Sequence, residues 1–188
     1  MNPENLPTRA ARRLSGYLFE LSNRRSTHFD TPPVILGYWP KIRNAGTMKF
    51  GAWCRFRSIR LRQYIKAETG AVLDVGHNGF MNDGVHIHAT QSIKIGSYVK
   101  IGDMVYIYDT DAHPVSPERP IRQKPIVIGH NVWIGAKSII LAGAHIGDHA
   151  VIAAGSIVIG EVPPRSVVAG VPARVVRTFE APDDWVRS

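Results

Sequence analysis

The chain has 188 residues, 44% of them apolar and 20% charged, which suits one soluble domain with a well-buried core. Its single cysteine, Cys54, excludes an internal disulfide framework, and no apolar run nears the roughly 18 residues that a membrane-crossing helix needs. The formal charge of +8 is unevenly placed: residues 1–66 carry thirteen Lys/Arg against three Asp/Glu (+10), and residues 67–188 carry ten against twelve (−2).

The opening residues, MNPENLPTRAARR, lack the apolar stretch of a secretory signal, which predicts a cytoplasmic protein. An amphipathic helix is expected next, capped near Thr8, with Leu14, Leu18 and Leu21 on one face and arginines around it. The Pro-rich stretch 31–40 reads as a lead-in, so residues 1–40 form a basic helix and linker. A six-residue period then sets in. Ile42, Met48 and Cys54 open it weakly, and Val75, Met81, Ile87 and Ile93 keep it. It slips by two residues and resumes at Ile95, Ile101 and Ile107. Residues 108–125, YDTDAHPVSPERPIRQKP, interrupt it as a polar loop. From Ile128 through Ile134, Ile140, Ile146 and Ile152 to Val158 it runs unbroken. The repeat domain is therefore placed at 41–178 and a tail at 179–188.

A period of six fits neither a lone helix, near 3.6, nor a strand alternating at 2. It suits a parallel coil of short strands joined by tight corners, with one large aliphatic per strand turned inward and a small residue at the bend. Stacked coils bury columns of Ile and Val that no single repeat could bury alone. Cys54 falls in such a column and reads as a packed thiol. A long loop inside so regular a coil is usually functional, which draws attention to His113 within it.

The phrase IGHNVWIGAKSIILAGAHIGDHAVIAAGSIV, followed by VPPRSVVAGVPARVVR, resembles the hexapeptide-repeat acyltransferases. Within them it is similar to the sugar O-acetyltransferases acting on galactosides, maltose, capsule, colanic acid or lipopolysaccharide. The likeness covers roughly residues 75–178. It implies an all-β, left-handed parallel β-helix with a short N-terminal helix and an extruded active-site loop. It further implies a homotrimer with sites between neighbouring coils, and direct transfer of acetyl from acetyl-CoA without an acyl-enzyme. No metal is expected. The acceptor class is carbohydrate: a nucleotide sugar, a glycan or a lipid-linked saccharide.

By resemblance, His113 is the general base; a neutral imidazole can take a hydroxyl proton near pH 7. Asp109, Asp111 and Glu118 are near it in sequence, and the group that orients its ring is left open. Asn82 matches an acceptor-contacting asparagine, although Asn82-Asp83-Gly84 also reads as a turn. Trp133 is expected along the cleft, and the backbones of Ala136 and Ala154 along the pantetheine arm. An N–H near Gly135–Ala136 would stabilise the oxyanion. Arg174 and Arg177 match the residues that meet the CoA phosphates. Ile159-Gly160 stands where the galactoside enzymes carry Thr-Lys, which removes one expected contact to the nucleotide.

Two other readings stay open on the residues alone. The pair His86/His88, with His77 and His113, invites comparison with a γ-type carbonic anhydrase, although Glu118 stands where that pattern wants a histidine. A non-catalytic binding coil would use the basic third, including Arg55, Arg57, Arg60 and Arg62, against an anionic partner. That third carries no nucleic-acid motif. Contact with the inner face of a membrane would also suit its charge.

Overall fold

In the computed structural model, which describes residues 8–187, each six-residue unit becomes a short strand followed by a corner. Three parallel sheets result. Sheet A stacks His28–Phe29, Thr47–Phe50, Val72–Val75, Ser92–Ile95, Ile126–Ile128, His145–Ile146 and Glu161–Val162. Sheet B stacks Val34–Gly37, Arg55–Ser58, Phe80–Met81, Lys100–Ile101, Trp133–Ile134, Val151–Ile152 and Ser166–Gly170, then adds Ala173–Thr178 as an antiparallel edge. Sheet C stacks Lys41–Asn44, Tyr64–Ala67, His86–Ala89, Tyr106–Tyr108, Ile139–Ile140 and Ile157–Val158. The chain visits A, B and C in turn, which agrees with the left-handed β-helix. Its corners form three edges, AB, BC and CA.

Columns of aliphatic side chains fill the prism. Val75, Ile95, Ile128 and Ile146 stack in sheet A, Met81, Ile101, Ile134 and Ile152 in B, and Ile65, Ile87, Ile107 and Ile140 in C. All are buried, and each contributes about 1.5–3 kcal/mol of transfer free energy. The two-residue slip also resolves. In the four-residue strand Ser92–Ile95 both Ile93 and Ile95 point inward, opposite Leu73 and Val75, so two frames of the period meet in one strand. Cys54 is buried and its thiol is pushed up to about 11, chiefly by burial, which leaves it a packing group.

Helix α1 spans Arg9–Asn23, with the Thr8 hydroxyl accepting from the Ala11 N–H at 3.3 Å. It covers the open N-terminal end of the coil. Phe19 packs edge-on against Phe29 and Trp39, and Gly16 lies against the Pro33 carbonyl, where a Cβ would come within 1.8 Å. Leu14, Leu18 and Leu21 do share a face, but that face is turned to solvent. The coil begins ahead of the Pro-rich stretch: His28–Phe29 already pairs with Thr47–Phe50, and Val34–Gly37 with Arg55–Ser58. At the other end the tail returns over the AB edge. Trp185 stacks on His149 (6.0 Å between centroids, 24° between planes), and Asn131 bonds Trp185 O and the Arg187 N–H.

Candidate active site

The BC edge assembles four of the groups in question. Asn82, Gly102, Gly135 and Ala153 occupy the same place in successive coils, and each N–H is donated to the next coil: Asn82 to Ile101 O, Gly102 to Ile134 O, Gly135 to Ile152 O, Ala153 to Val168 O. The following residues in the upper coils, Ala136 and Ala154, keep N–H groups with no acceptor among the described residues. The Gly135 N–H is committed to the coil, so an oxyanion donor in this stretch has to be that of Ala136. Gly102 matters here for its missing side chain. A Cβ on it would stand 2.7 Å from Ala136 N and press on that group.

Asn82 is oriented by Arg57, which the sequence offered only as part of a basic face. Its Oδ1 accepts from Arg57 Nη1 at 2.9 Å, which leaves Nδ2 as the atom able to meet a ligand. Its neighbour Asp83 is buried and accepts from the N–H groups of Ile59, Arg60 and Leu61. Asp83 thus holds the turn, while the amide nitrogen of the adjacent Asn82 bonds none of the described residues.

Sheet B carries the next group. Trp133 is half exposed and lines a groove of about 450 Å³ with Val151, Val167, Arg177, Trp185 and Arg187. Arg174 is exposed on the same antiparallel strand, whose preceding turn bonds Ser156 through Gly170 N–H. Trp133, Ala136, Ala154, Arg174 and Arg177 therefore gather on sheet B and the BC edge. The tail residues Trp185 and Arg187, which wall this groove, carried no signal in the sequence.

His113 is on the other side of sheet C. Its loop leaves after Tyr108 and re-enters at Ile126, on the CA edge, with Ile159-Gly160 two coils further along the same edge. The loop is pinned at its base by Lys124 N–H to Asp109 O, by Asp111 N–H to Arg122 O, and by an Arg122–Asp111 ion pair at 3.1 Å. Ala112 sits at φ +62°, a left-handed conformation that turns His113 outward, and His113 N–H bonds Asp111 O at 2.7 Å. None of the three nearby carboxylates meets the ring. Asp109 is buried and takes four bonds from Thr90, Gln91 and Ser92, while Asp111 holds Arg122 and Glu118 takes Ser116. Within one chain, His113 and Asn82 stand on different edges, separated by the width of a sheet.

The His86/His88 pair does project from one face of sheet C, and both rings are engaged. Tyr108 lies 2.9 Å from His86 Nδ1, and Glu68 lies 3.0 Å from His88 Nε2. Burial pushes the Tyr108 hydroxyl up to about 12 and holds His86 below its usual value. Both shifts favour the neutral forms, so Tyr108 and His86 share a hydrogen bond between uncharged groups. Among the described residues no three His, Cys, Asp or Glu side chains converge as a metal site.

Comparisons with known proteins bear on the family and the fold. Residues 125–160 match the bacterial transferase hexapeptide (six repeats) family. The chain is 34% identical over 151 residues to the putative lipopolysaccharide biosynthesis O-acetyl transferase WbbJ of Escherichia coli, covering 73% of this chain and 75% of that protein. It is 40% identical over 120 residues to the galactoside O-acetyltransferase of Escherichia coli, covering 61% of this chain and 58% of that protein's length. Among solved structures, a galactoside acetyltransferase in complex with coenzyme A superposes with a TM-score of 0.54 at 27% identity, covering 97% of this chain and 94% of that one.

Proposed function

This chain belongs to the hexapeptide-repeat acyltransferase family, and on that premise we propose that it moves acetyl from acetyl-CoA to a hydroxyl of a sugar or glycan intermediate. The observation that carries the reading is the stacking on one edge of the oriented Asn82 with the unpartnered N–H groups of Ala136 and Ala154. With Gly102 leaving the approach open, the Ala154 N–H fits an amide of the pantetheine arm and that of Ala136 is left for the thioester carbonyl. Trp133 and Arg177 in the adjoining groove fit the arm's apolar length and the CoA phosphates.

Acetyl-CoA supplies the activated thioester, and the chain supplies position and proton transfer. As the acceptor oxygen bonds to the thioester carbonyl carbon, the His113 imidazole takes its proton. The Ala136 N–H meets the charge that develops on the carbonyl oxygen, a kind of contact worth about 2.7–4 kcal/mol of barrier. When the C–S bond breaks, the same imidazole returns the proton to sulfur. Asn82 Nδ2 holds the acceptor.

The site so described spans two edges, so we assign it to the cleft between copies in a homotrimer. The His113 loop of one copy would reach the BC edge of the next, with sheet C facing the shared axis. The test is an acceptor screen with acetyl-CoA that follows free thiol release, alongside the mass in solution. Thiol release that depends on a carbohydrate hydroxyl is expected from a trimer. An active monomer would overturn the shared site, and no release with any sugar acceptor would overturn the reaction.

A further inference from the structure

We propose that the outward face of α1 is a docking surface for an anionic lipid bilayer. Leu14, Tyr17, Leu18 and Leu21 recur at the spacing of one helical stripe and are 60%, 55%, 44% and 43% exposed. The helix anchors itself by its other side, where Gly16 and Phe19 are its buried residues, and the leucine stripe stays largely open to solvent. A stripe of three leucines kept in water runs against the hydrophobic effect unless something covers it.

Charge selects what covers it. Arg9, Arg13, Arg24 and Arg25 are exposed along the helix and just beyond its end, while Glu20 is the one acid within it. They belong to the third of the sequence that carries +10. An apolar stripe bordered by guanidinium groups is the pattern of a helix lying in a lipid interface, apolar face among acyl chains and cations among anionic headgroups. Trp53 adds an aromatic anchor. It is 63% exposed and lines a groove beside the helix with Tyr17 and Arg13, at the level where amphipathic rings settle in a bilayer.

A second copy of this chain is a poorer occupant. The stripe lies at the N-terminal end of the prism, so copies packed side by side would leave it open. Copies packed end to end would press two strongly basic thirds together. Side-by-side assembly would instead set several α1 helices on one end, multiplying a weak attachment.

Co-sedimentation of the full chain with vesicles tests this, and its readout does not depend on acetyl transfer. Vesicles of phosphatidylethanolamine and phosphatidylglycerol at about three to one should pellet the protein, and phosphatidylcholine vesicles should not; about 0.5 M NaCl should weaken binding. The exposed double variant Leu18→Glu/Leu21→Glu should keep its Tm and solution mass and lose roughly tenfold or more of vesicle affinity. Equal binding to both lipids, no binding to either, or unchanged binding by the variant overturns the proposal. A drop in the variant's solution mass would show that the stripe joins copies of the chain, and overturns it equally.

Discussion

Along the BC edge the chain turns in the same tight way at Asn82, Gly102, Gly135 and Ala153, each locked to the next coil by a backbone hydrogen bond. Along the CA edge it departs from that pattern between Tyr108 and Ile126 and sends out a loop carrying His113. The first edge holds its polar groups as rigidly as the core beneath them, which suits donors that must not reorganise during reaction. The second presents a ring that no side chain among the described residues orients. The coil places static donors by repetition, whereas His113 sits on a segment released from the repeat.

The largest expected effect removes the released group. His113→Ala should lower kcat/KM by about 10²–10⁴-fold, with CoA affinity and Tm unchanged because the side chain is an exposed loop residue. Stopped assays and calorimetry check it; retained turnover would mean that the CA edge carries no chemistry. Asp109→Asn attacks the root of the same loop. The new amide would face N–H donors that the carboxylate now satisfies, with an expected loss of about 2–4 kcal/mol seen as a lower denaturation midpoint. Full stability combined with lost activity would instead mark Asp109 as a partner of His113.

On the opposite edge, Gly102→Ala should press on the backbone of Ala136 and Ile134, lowering kcat about 10–100-fold and Tm as well, since a Cβ would stand 2.7 Å from Ala136 N and 3.0 Å from Ile134 O. Its pairing with His113→Ala sharpens the comparison of edges. Co-expressed, the two variants should recover activity that neither has alone, because mixed assemblies pair an intact loop with an intact edge. No recovery would place both edges' contributions in one chain.

The smallest effect concerns sheet C between the edges. His86 is held neutral by burial in the folded chain, so the unfolded chain takes up its proton first as pH falls. Stability from this residue is complete above about pH 6.5 and declines below it. The acid-side fall in Tm should be shallower in His86→Gln, measured by thermal melts from neutral to mildly acidic pH.

Much of this molecule was legible in residue order. The period of six marks which side chains turn inward, and the columns from Val75 to Val158 follow it. The loop at 108–125 was visible as a break in the same period. Other features had no local signature. Phe19, rather than the leucine stripe, buries the helix because aromatic partners from the first two coils meet there. Arg57 reaches Asn82 across 25 positions of chain, and the Trp185 tail returns to His149 across 36. Contacts between distant positions leave no periodicity to read.

Residue order alone therefore determined the coil and its interruption, because a short-range period governs burial. Only the tertiary structure decided which edge each group occupies. Apart from the coil that carries the 108–125 loop, one turn of this prism takes 16 to 25 residues, so a difference of a few positions moves a side chain from one edge to another. That is why Asn82 and His113, both plain in the sequence, stand on separate edges, and why the leucines of α1 face outward.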